Sequence, residues 1–374
     1  MADGLARNFL ATMEEGTSET EEGGASFNAM AQSYSIVRLH VFPSRSAHPL
    51  MNQPPRVRVY YLASGALGIP ALDVLAKSEK LELCGVGTQP DRPAGRRRQL
   101  QPTSVGAHAD ALGIPCQRVP NVNDEAFLNG LADLRPDVVV VASFGQLLKA
   151  RLIDLAPHGC LNLHASLLPR HRGASPLQAA ILAGDAETGI SFMRIDAGLD
   201  TGPVYDQART PIQPAETAGE LETRLAELGA AQLVQVLGKI VTGELTAEAQ
   251  PTEGITVARK IHKRDGRIDW SLSAMEIARR IRAYNPWPRA DTTLPASRRG
   301  ACRLQITAAE PTEPELPGTP GTVLTVTKNE WVVACGAAAL RILRVVPEGK
   351  AEMSAADFLR GARIAPGARL GQDG

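Results

Sequence analysis

Two polar side chains interrupt an otherwise apolar strand near the middle of the chain. Asn162 and His164 stand two residues apart in GCLNLHA (159–165), so a β-strand directs both side chains to the same face. Unpaired polar groups are costly to bury, and both side chains therefore need partners or a ligand. An amide can stabilise an oxyanion, and an imidazole can transfer a proton. The structural alternative is that the pair only hydrogen-bonds a loop.

A carboxylate follows this strand at a distance that could bring it to the same site. Asp200 lies in the turn GLDTG (198–202), directly after a strand predicted over 189–196. Acids between glycines also form turns, which is the structural alternative. If the two strands are neighbours, Asp200 reaches the edge of the sheet that carries His164 and orients its imidazole. These three residue types, without a Ser or Cys nucleophile, predict direct group transfer rather than a covalent intermediate.

The elements that must position these side chains alternate between strands and helices. The uninterrupted run DVVVVASF (137–144) is typical of a parallel strand buried on both faces. The alternation predicts an α/β fold with a doubly wound, Rossmann-like parallel sheet, in which ligands bind at the carboxyl ends of the strands. Strands are predicted over 57–63, 81–88, 115–119, 137–144, 159–165 and 189–196, and helices before residue 75 and over 104–112, 124–134, 176–183 and 216–243.

The chain divides into four parts by composition. Residues 1–55 include the acidic, Gly/Ser-rich segment EEGTSETEEGGAS and are predicted to be a disordered extension. The α/β pattern fills 56–243, and a polar linker is predicted over 244–263. The last part, 264–374, begins with an amphipathic helix over 273–285 and continues in short strands separated by Gly/Pro turns. This pattern predicts a small, OB-like β-barrel.

Length and charge limit the classes of protein to which the chain can belong. Its 374 residues fit two or three domains, and the 40 Lys+Arg balance the 40 Asp+Glu. That balance argues against a protein that coats nucleic acid non-specifically. No apolar run is long enough to span a bilayer. Five scattered cysteines favour neither a disulfide framework nor a zinc site. We expect a cytoplasmic protein, and a monomer.

Basic residues are concentrated in two places. Residues 263–374 carry 17 basic and 12 acidic side chains, including Arg279, Arg280, Arg282 and Arg289. A second group, 92–98, follows the predicted second strand. Solvated surface charge is the ordinary explanation of such runs, whereas a loop near the active edge of the sheet favours contacts with RNA phosphates.

The first βα turn has part of a dinucleotide-binding fingerprint. Residues 63–68, ASGALG, lack the first glycine of that fingerprint, and the next strand ends in TQP (88–90) rather than in an acid for the ribose. The glycines are therefore interpreted as turn and packing residues. A nicotinamide cofactor is the weakest hypothesis for this chain.

The stretch NLHASLLPRHRG (162–173), followed by GLDTG, resembles the formyltransferases that use 10-formyltetrahydrofolate. Three further stretches resemble the methionyl-tRNA branch of that family: TQPDRPAGR (88–96), RIDW (267–270) and NPWP (285–288). The resemblance extends from about residue 57 to about residue 370. His171 departs from the family pattern, which usually has an aromatic residue there.

This resemblance implies transfer of the formyl group of 10-formyltetrahydrofolate to the amine of initiator methionyl-tRNA, without a metal. It implies that Asn162, His164 and Asp200, hereafter the trio, are catalytic. The folate is expected to contact Phe144, Gly145, Leu147, Ser166, Leu167, Leu168 and Pro169. The tRNA is expected to contact Arg92, Arg96, Arg97 and Arg98.

Other functions use the same trio. A formyltransferase that acts on a small amine, such as glycinamide ribonucleotide or an amino sugar, needs neither the basic loop nor the C-terminal barrel. A hydrolase of formyl-folate is a second alternative. A non-catalytic RNA-binding protein with this fold is a third, against which the intact trio argues. An assay with 10-formyltetrahydrofolate and charged initiator tRNA separates these hypotheses.

Overall fold

The computed structural model describes residues 56–94, 98–297, 300–313 and 318–371. The predicted disordered extension, 1–55, lies outside these residues, as do Arg96 and Arg97 of the basic loop. No helix in the described ranges is long and apolar enough to cross a membrane.

A seven-stranded sheet with helices on both faces forms the first part of the chain. Its strands follow the order β10-β9-β7-β6-β1-β2-β5. Strands β3 and β4 form a separate hairpin, and β8 lies outside the main sheet. The strands are β1 (Val57–Ala63), β2 (Leu81–Thr88), β3 (Arg92–Ala94), β4 (Gln99–Gln101), β5 (Cys116–Arg118), β6 (Val138–Ala142), β7 (Cys160–His164), β8 (Arg172–Gly173), β9 (Glu187–Arg194) and β10 (Val204–Pro211). The helices are α1 (Ile69–Lys77), α2 (Ser104–Ala111), α3 (Glu125–Asp133), α4 (Ala150–Ile153), α5 (Pro176–Ala183) and α6 (Ala218–Val241).

The central strands are buried on both faces, as their apolar runs predict. Along β1, Tyr61 belongs to the hydrophobic core on one face, which includes α1 and α6. Its neighbour Tyr60 belongs to the core on the opposite face, with α3 and α4. Alternate residues of one strand thus anchor two helical layers, as in a doubly wound fold. Helix α6 begins in a capping box formed by Thr217 and Glu220.

The sheet is mixed rather than entirely parallel. Strands β5, β2, β1, β6 and β7 are parallel, whereas β9 is antiparallel to β7 and β10 is antiparallel to β9. In the β7–β9 pair, Leu161 lies opposite Arg194 and His164 lies opposite Ser191. The carboxyl end of β9 therefore lies beside the beginning of β7. The prediction of a parallel sheet is correct for five strands, whereas β9 runs in the opposite direction and pairs antiparallel with both of its neighbours.

The second part of the chain has its own hydrophobic core around Trp270, Ile281 and Trp331. Strands β12, β13, β16, β15 and β14 pair in this order in an antiparallel sheet, to which β17 adds at β16. Strand β11 (Val257–Ala258) lies in the predicted linker. The elements of the second part are α7 (Ala274–Ala283), β12 (Ala290–Ser297), β13 (Gly300–Thr312), β14 (Val323–Val326), β15 (Trp331–Ala334), β16 (Ala339–Pro347), β17 (Met353–Ser354) and α8 (Ala355–Gly361).

The end of the described chain bridges the two outer strands of this sheet. The Gly367 N–H donates to the Val323 carbonyl of β14, and the Val323 N–H donates to the Ala368 carbonyl. The Gly371 N–H donates to the Thr293 carbonyl of β12 at 2.8 Å. This bridge completes the barrel-like arrangement predicted from the short strands.

Helix α7 joins the two parts of the chain. Its Arg282 guanidinium donates to the Glu216 carbonyl at 3.2 Å, and the Gly219 N–H donates to the Asn285 carbonyl at 3.1 Å. Burial lowers the pKa of Arg282 from its ordinary value. The Arg279 guanidinium packs against Gly184 at the end of α5. Arg279 and Arg282 therefore belong to the contact between the two parts of the chain.

Candidate active site

A cleft of about 570 Å³ opens beside the carboxyl ends of β6 and β7. All three members of the trio line it. The other walls are the loop after β6, the start of α5, the loop between β9 and β10, the end of the predicted linker, and the NPWP segment. The site predicted at the carboxyl edge of the sheet thus corresponds to a real concavity, large enough for a small organic molecule.

Strand β7 positions the first two members of the trio. Asn162 and His164 are separated by Leu163, which is buried in the core beneath the sheet. The Asn162 side chain is partly exposed and lines the cleft, and it has no hydrogen-bond partner within the described part of the chain. Its amide can therefore bind an oxygen atom of a ligand in the cleft.

The imidazole of His164 is held by a main-chain carbonyl. Its Nε2 lies 3.0 Å from the oxygen of His171, and the residue is 5% exposed. A carbonyl oxygen can only accept, so Nε2 must carry a proton. The other nitrogen, Nδ1, lies 3.7 Å from Asp200 Oδ2. Because Nε2 is already bonded to the protein, Nδ1 is the nitrogen at which a proton can be exchanged with a ligand.

Asp200 reaches His164 by a different route from the predicted one. Because β9 is antiparallel to β7, the loop 195–203 starts beside the beginning of β7 and folds back over the sheet to the cleft. The Asp200 carboxylate accepts a hydrogen bond from the Gly173 N–H at 2.8 Å. The predicted proximity of Asp200 to His164 is present in the structure, but loop folding rather than strand direction produces it.

Three residues around the cleft adopt left-handed backbone conformations that side chains disfavour. Ser143, His171 and Asp200 have φ values of 46, 58 and 52°. Such conformations persist only where surrounding contacts impose them, and they concentrate at functional sites. Each of these residues ends or turns a loop that borders the cleft, which supports a functional role for this region.

The loop after β6 contains the predicted folate residues that do line the cleft. Phe144, Gly145 and Leu147 all contribute to its wall, and 70% of Leu147 is exposed. The Gln89 amide fixes this loop by donating to the Phe144 carbonyl at 2.6 Å. Gln146 also holds it, donating to the Val119 carbonyl at 2.9 Å. The side chains of Gln89 and Gln146 thus hold the main chain of 143–148 at the wall of the cleft, where its polar groups can bind a ligand.

The other predicted folate residues, 166–169, are not among those that line this cleft. Ser166 and Leu168 are buried, and Ser166 Oγ donates to the Arg170 carbonyl at 2.7 Å. Leu167 and Pro169 line a separate cavity of about 420 Å³. Of the predicted folate residues, the structure thus brings those of the loop after β6 to the cleft and not those of 166–169.

The described arginines of the basic loop, Arg92 and Arg98, lie in β3 and directly before β4 of the small hairpin. Arg92 and Arg98 are exposed, and the Arg92 guanidinium donates to Gln89 Oε1. Since Gln89 also holds the Phe144 carbonyl, the base of this hairpin is linked to the loop that borders the cleft. Arg92, one of the two described arginines of the basic loop, is therefore connected through Gln89 to the wall of the cleft.

Several polar or aromatic residues of the cleft were not predicted from the sequence. Gln178, Glu222, Lys260 and Trp287 come from α5, α6, the end of the linker and the NPWP segment. Burial raises the pKa of the Glu222 carboxyl above its ordinary value, and Trp287 is 57% exposed. In the sequence, the NPWP motif was the feature that could have pointed to Trp287. Glu222 has no comparable feature, because it lies in an ordinary amphipathic helix. Among the described residues, no group of three or more His, Cys, Asp or Glu is placed to hold a metal ion.

Comparisons with protein families match both parts of the chain. Residues 61–237 match the formyl transferase family, and residues 260–363 match the formyl transferase C-terminal domain. The methionyl-tRNA formyltransferase of Magnetococcus marinus is 42% identical over 77% of this chain and 90% of its own length. That of Thermus thermophilus is 43% identical over 84% of this chain and 100% of its own length.

Solved structures share the fold at low identity. An N-formyltransferase from Helicobacter canadensis, in complex with folinic acid and dTDP-3-aminofucose, is 16% identical with a TM-score of 0.54, over 76% of this chain and 98% of that one. HypX from Aquifex aeolicus, in complex with tetrahydrofolic acid, is 15% identical with a TM-score of 0.55, over 82% of this chain and 47% of that one. The sequence matches decide the family: the chain belongs to the formyltransferases, in the branch formed by the methionyl-tRNA formyltransferases.

Proposed function

We propose that this protein transfers the formyl group of 10-formyltetrahydrofolate to the free amino group of methionyl initiator tRNA. One observation carries the proposal: Asn162, His164 and Asp200 converge on a cleft in a chain that also has the complete C-terminal domain of its methionyl-tRNA relatives. Formylated methionyl-tRNA is used in translation initiation, so the proposed role is in protein synthesis.

The chemistry is an acyl transfer between two nitrogen atoms. The neutral amine attacks the formyl carbon, which forms one C–N bond and a tetrahedral oxyanion. The bond from this carbon to N10 of the folate then breaks, and one proton passes from the amine to N10. No covalent enzyme intermediate is needed, in agreement with the lack of a Ser or Cys nucleophile in the trio.

Each member of the trio has a distinct role in this step. The Asn162 amide donates to the developing oxyanion. The His164 Nδ1 accepts the amine proton and returns it to the leaving nitrogen, while Nε2 stays bonded to the His171 carbonyl. Asp200, 3.7 Å from Nδ1, stabilises the doubly protonated imidazole between these two events.

The two substrates occupy different walls of the cleft in this proposal. The folate lies against the loop 143–148, where main-chain groups can pair with the pteridine. The aminoacyl end of the tRNA enters from the side of Lys260 and Trp287, which connect the cleft to the C-terminal part of the chain. A cation and an exposed indole suit an RNA terminus, because one contacts phosphate and the other stacks on a base.

A small-amine formyltransferase is the second candidate function. The N-formyltransferase from Helicobacter canadensis has this fold and was solved with dTDP-3-aminofucose, so the fold by itself does not decide the amine. The basic hairpin and the basic surplus of residues 263–374 favour tRNA, since a small amine requires neither.

The decisive experiment offers the protein both kinds of amine. Pure protein is incubated with 10-formyltetrahydrofolate and either charged initiator tRNA, free methionine, or small amino sugars, and formylated product and tetrahydrofolate are quantified. We expect product only from methionyl-tRNA. Faster formylation of a small amine would replace the proposed substrate, and release of formate without any acceptor would indicate a hydrolase.

The basic hairpin gives a prediction that separates a tRNA substrate from a small one. Replacing Arg96, Arg97 and Arg98 by alanine is expected to raise the KM for charged tRNA and leave the KM for folate unchanged. Each lost phosphate contact lowers the slope of log affinity against log salt by about 0.7 to 0.9, so we expect a change of about 2. Steady-state kinetics at two salt concentrations measure this slope.

A matched triple variant controls for the change in net charge. Arg56, Arg151 and Arg209 are exposed arginines of the same part of the chain, outside the cleft. Their replacement by alanine should leave the salt slope unaltered. If both triple variants use charged tRNA as well as the wild type does at both salt concentrations, the hairpin does not bind RNA.

A further inference from the structure

The segment predicted to be a linker lies against the loops that hold the trio. Glu248 and Val204 exchange two main-chain hydrogen bonds, of 2.8 and 2.9 Å, at the start of β10. Further along, β11 pairs with β8, so that Val257 lies opposite Arg172 and Ala258 opposite Gly173. The predicted linker, a polar segment without periodicity, thus contacts both loops that hold the trio.

The Gln250 side chain joins these two loops, one of which contains Arg172 and the other Asp200. Its Oε1 accepts from Arg172 Nε at 3.0 Å and from Arg172 Nη2 at 2.7 Å. Its Nε2 donates to the Asp200 carbonyl at 2.8 Å and to the Gly202 carbonyl at 2.7 Å. Both protons and both lone pairs of the amide are used, which only Asn or Gln side chains can do.

The bridged loops are those that fix His164 and Asp200. In the loop that contains Arg172, the His171 carbonyl accepts from His164 Nε2, and the Gly173 N–H donates to the Asp200 carboxylate. The second loop carries Asp200 itself, in a left-handed backbone conformation that is uncommon for residues other than glycine. Because this loop arrives from the far end of β7, strand pairing alone does not hold it at the cleft.

We propose that Gln250 is a positioning residue for the reaction, which sets the placement of Asp200 relative to His164 by tying the loop 198–202 to Arg172. Gln250 is outside the residues that line the cleft and acts only through the two loops. The kinetic consequence rests on the proposed formyl transfer, whereas the structural consequence for the His164 imidazole does not.

The test uses two substitutions of the full chain. Gln250→Met retains the length of the side chain and removes all four hydrogen bonds. Gln250→Glu retains an acceptor for Arg172 and loses both donors to the loop 198–202. Displacement of a reacting group by about 1 Å can cost a hundredfold in rate, so we expect Gln250→Met to lower kcat about 10- to 100-fold, with both KM values within about twofold of wild type.

The glutamate variant distinguishes positioning from general stability. We expect Gln250→Glu to recover the melting temperature and only part of kcat, because the loop with Asp200 is still untethered. Should Gln250→Met fail to fold, Gln250→Glu serves for every measurement. Thr252→Ala, at an exposed position of the same segment, is the matched control and should behave as wild type.

A second readout needs no substrate. The imidazole ¹⁵N resonances of His164 report which nitrogen carries the proton, and in the wild type we expect the Nε2–H form. Loss of the Gln250 bridge is expected to shift these resonances in both variants. Unchanged resonances together with kcat within twofold of wild type would overturn the proposal. Shifted resonances in a protein that formylates no tRNA would overturn the proposed function and retain the role of Gln250.

Discussion

Replacing His164 by alanine is expected to lower kcat for formyl transfer by about 10² to 10⁴, the usual cost of losing a general acid and base. The variant loses the only described imidazole that lines the cleft, and with it the group that moves the proton from the amine to N10 in the proposed mechanism. KM for both substrates should change little, since the ring is 5% exposed and offers little binding surface. Single-turnover kinetics with saturating folate and charged tRNA measure the chemical step directly.

The loss must be separated from a loss of folding. The substitution leaves the His171 carbonyl without the His164 donor, and an unsatisfied buried acceptor costs about 1–3 kcal/mol in stability. Melting temperature and tetrahydrofolate binding should therefore be measured on the same preparation. His158→Ala, on the loop before β7 and outside the cleft lining, is the control and should retain full turnover. A folded His164→Ala protein with near-normal kcat would refute the proposed proton transfer.

Replacing Asn162 by aspartate is the second substitution with a large expected effect. The two side chains have the same shape, so the strand and the cleft are retained, but a donor becomes a negatively charged acceptor. The new carboxylate faces the developing oxyanion, so the hydrogen bond that stabilised the oxyanion is lost and charge repulsion is added. We expect kcat to fall by at least about 10² to 10³, the range measured when one oxyanion donor is lost. Folate affinity, measured by titration with tetrahydrofolate, should stay within a fewfold of wild type.

An exposed asparagine provides the control for this change. Asn129 accepts a hydrogen bond from Arg151 through Oδ1, and Asn129→Asp keeps that acceptor. This variant should equal the wild type in kcat and stability. If Asn162→Asp retains more than about a tenth of the wild-type kcat, then another donor stabilises the oxyanion and the role assigned to Asn162 is wrong.

Local patterns in the sequence were enough to predict most strands and helices in the first part of the chain. The apolar run at 137–144 predicted a strand buried on both faces, and Tyr60 and Tyr61 on the adjacent strand do belong to opposite cores. Periodicity and burial are properties of short segments, which explains why strands and helices can be recognised locally. The period-2 rule likewise placed Asn162 and His164 on the same side of β7, and both line the cleft.

Strand direction was beyond the reach of such patterns. An apolar strand has the same alternation whether it runs parallel or antiparallel, so nothing in residues 189–196 indicated that β9 reverses. The sequence therefore predicted correctly that Asp200 lies close to His164, but it attributed this proximity to a parallel strand, whereas β9 is antiparallel to β7. The loop 195–203 folds back across the sheet, and only contacts from distant segments hold it there.

Those contacts depend on residues that have no sequence signal of their own. Gln250 lies in a polar segment typical of a linker, yet it hydrogen-bonds both the loop with Arg172 and the loop with Asp200. Glu222 lies on a helix face like many others, yet it lines the cleft. The sequence by itself determined which residues could perform the chemistry and which strand carries two of them. Only the tertiary structure decided how the third joins them, because hydrogen bonds between positions about 50 to 80 residues apart form only once the chain has folded.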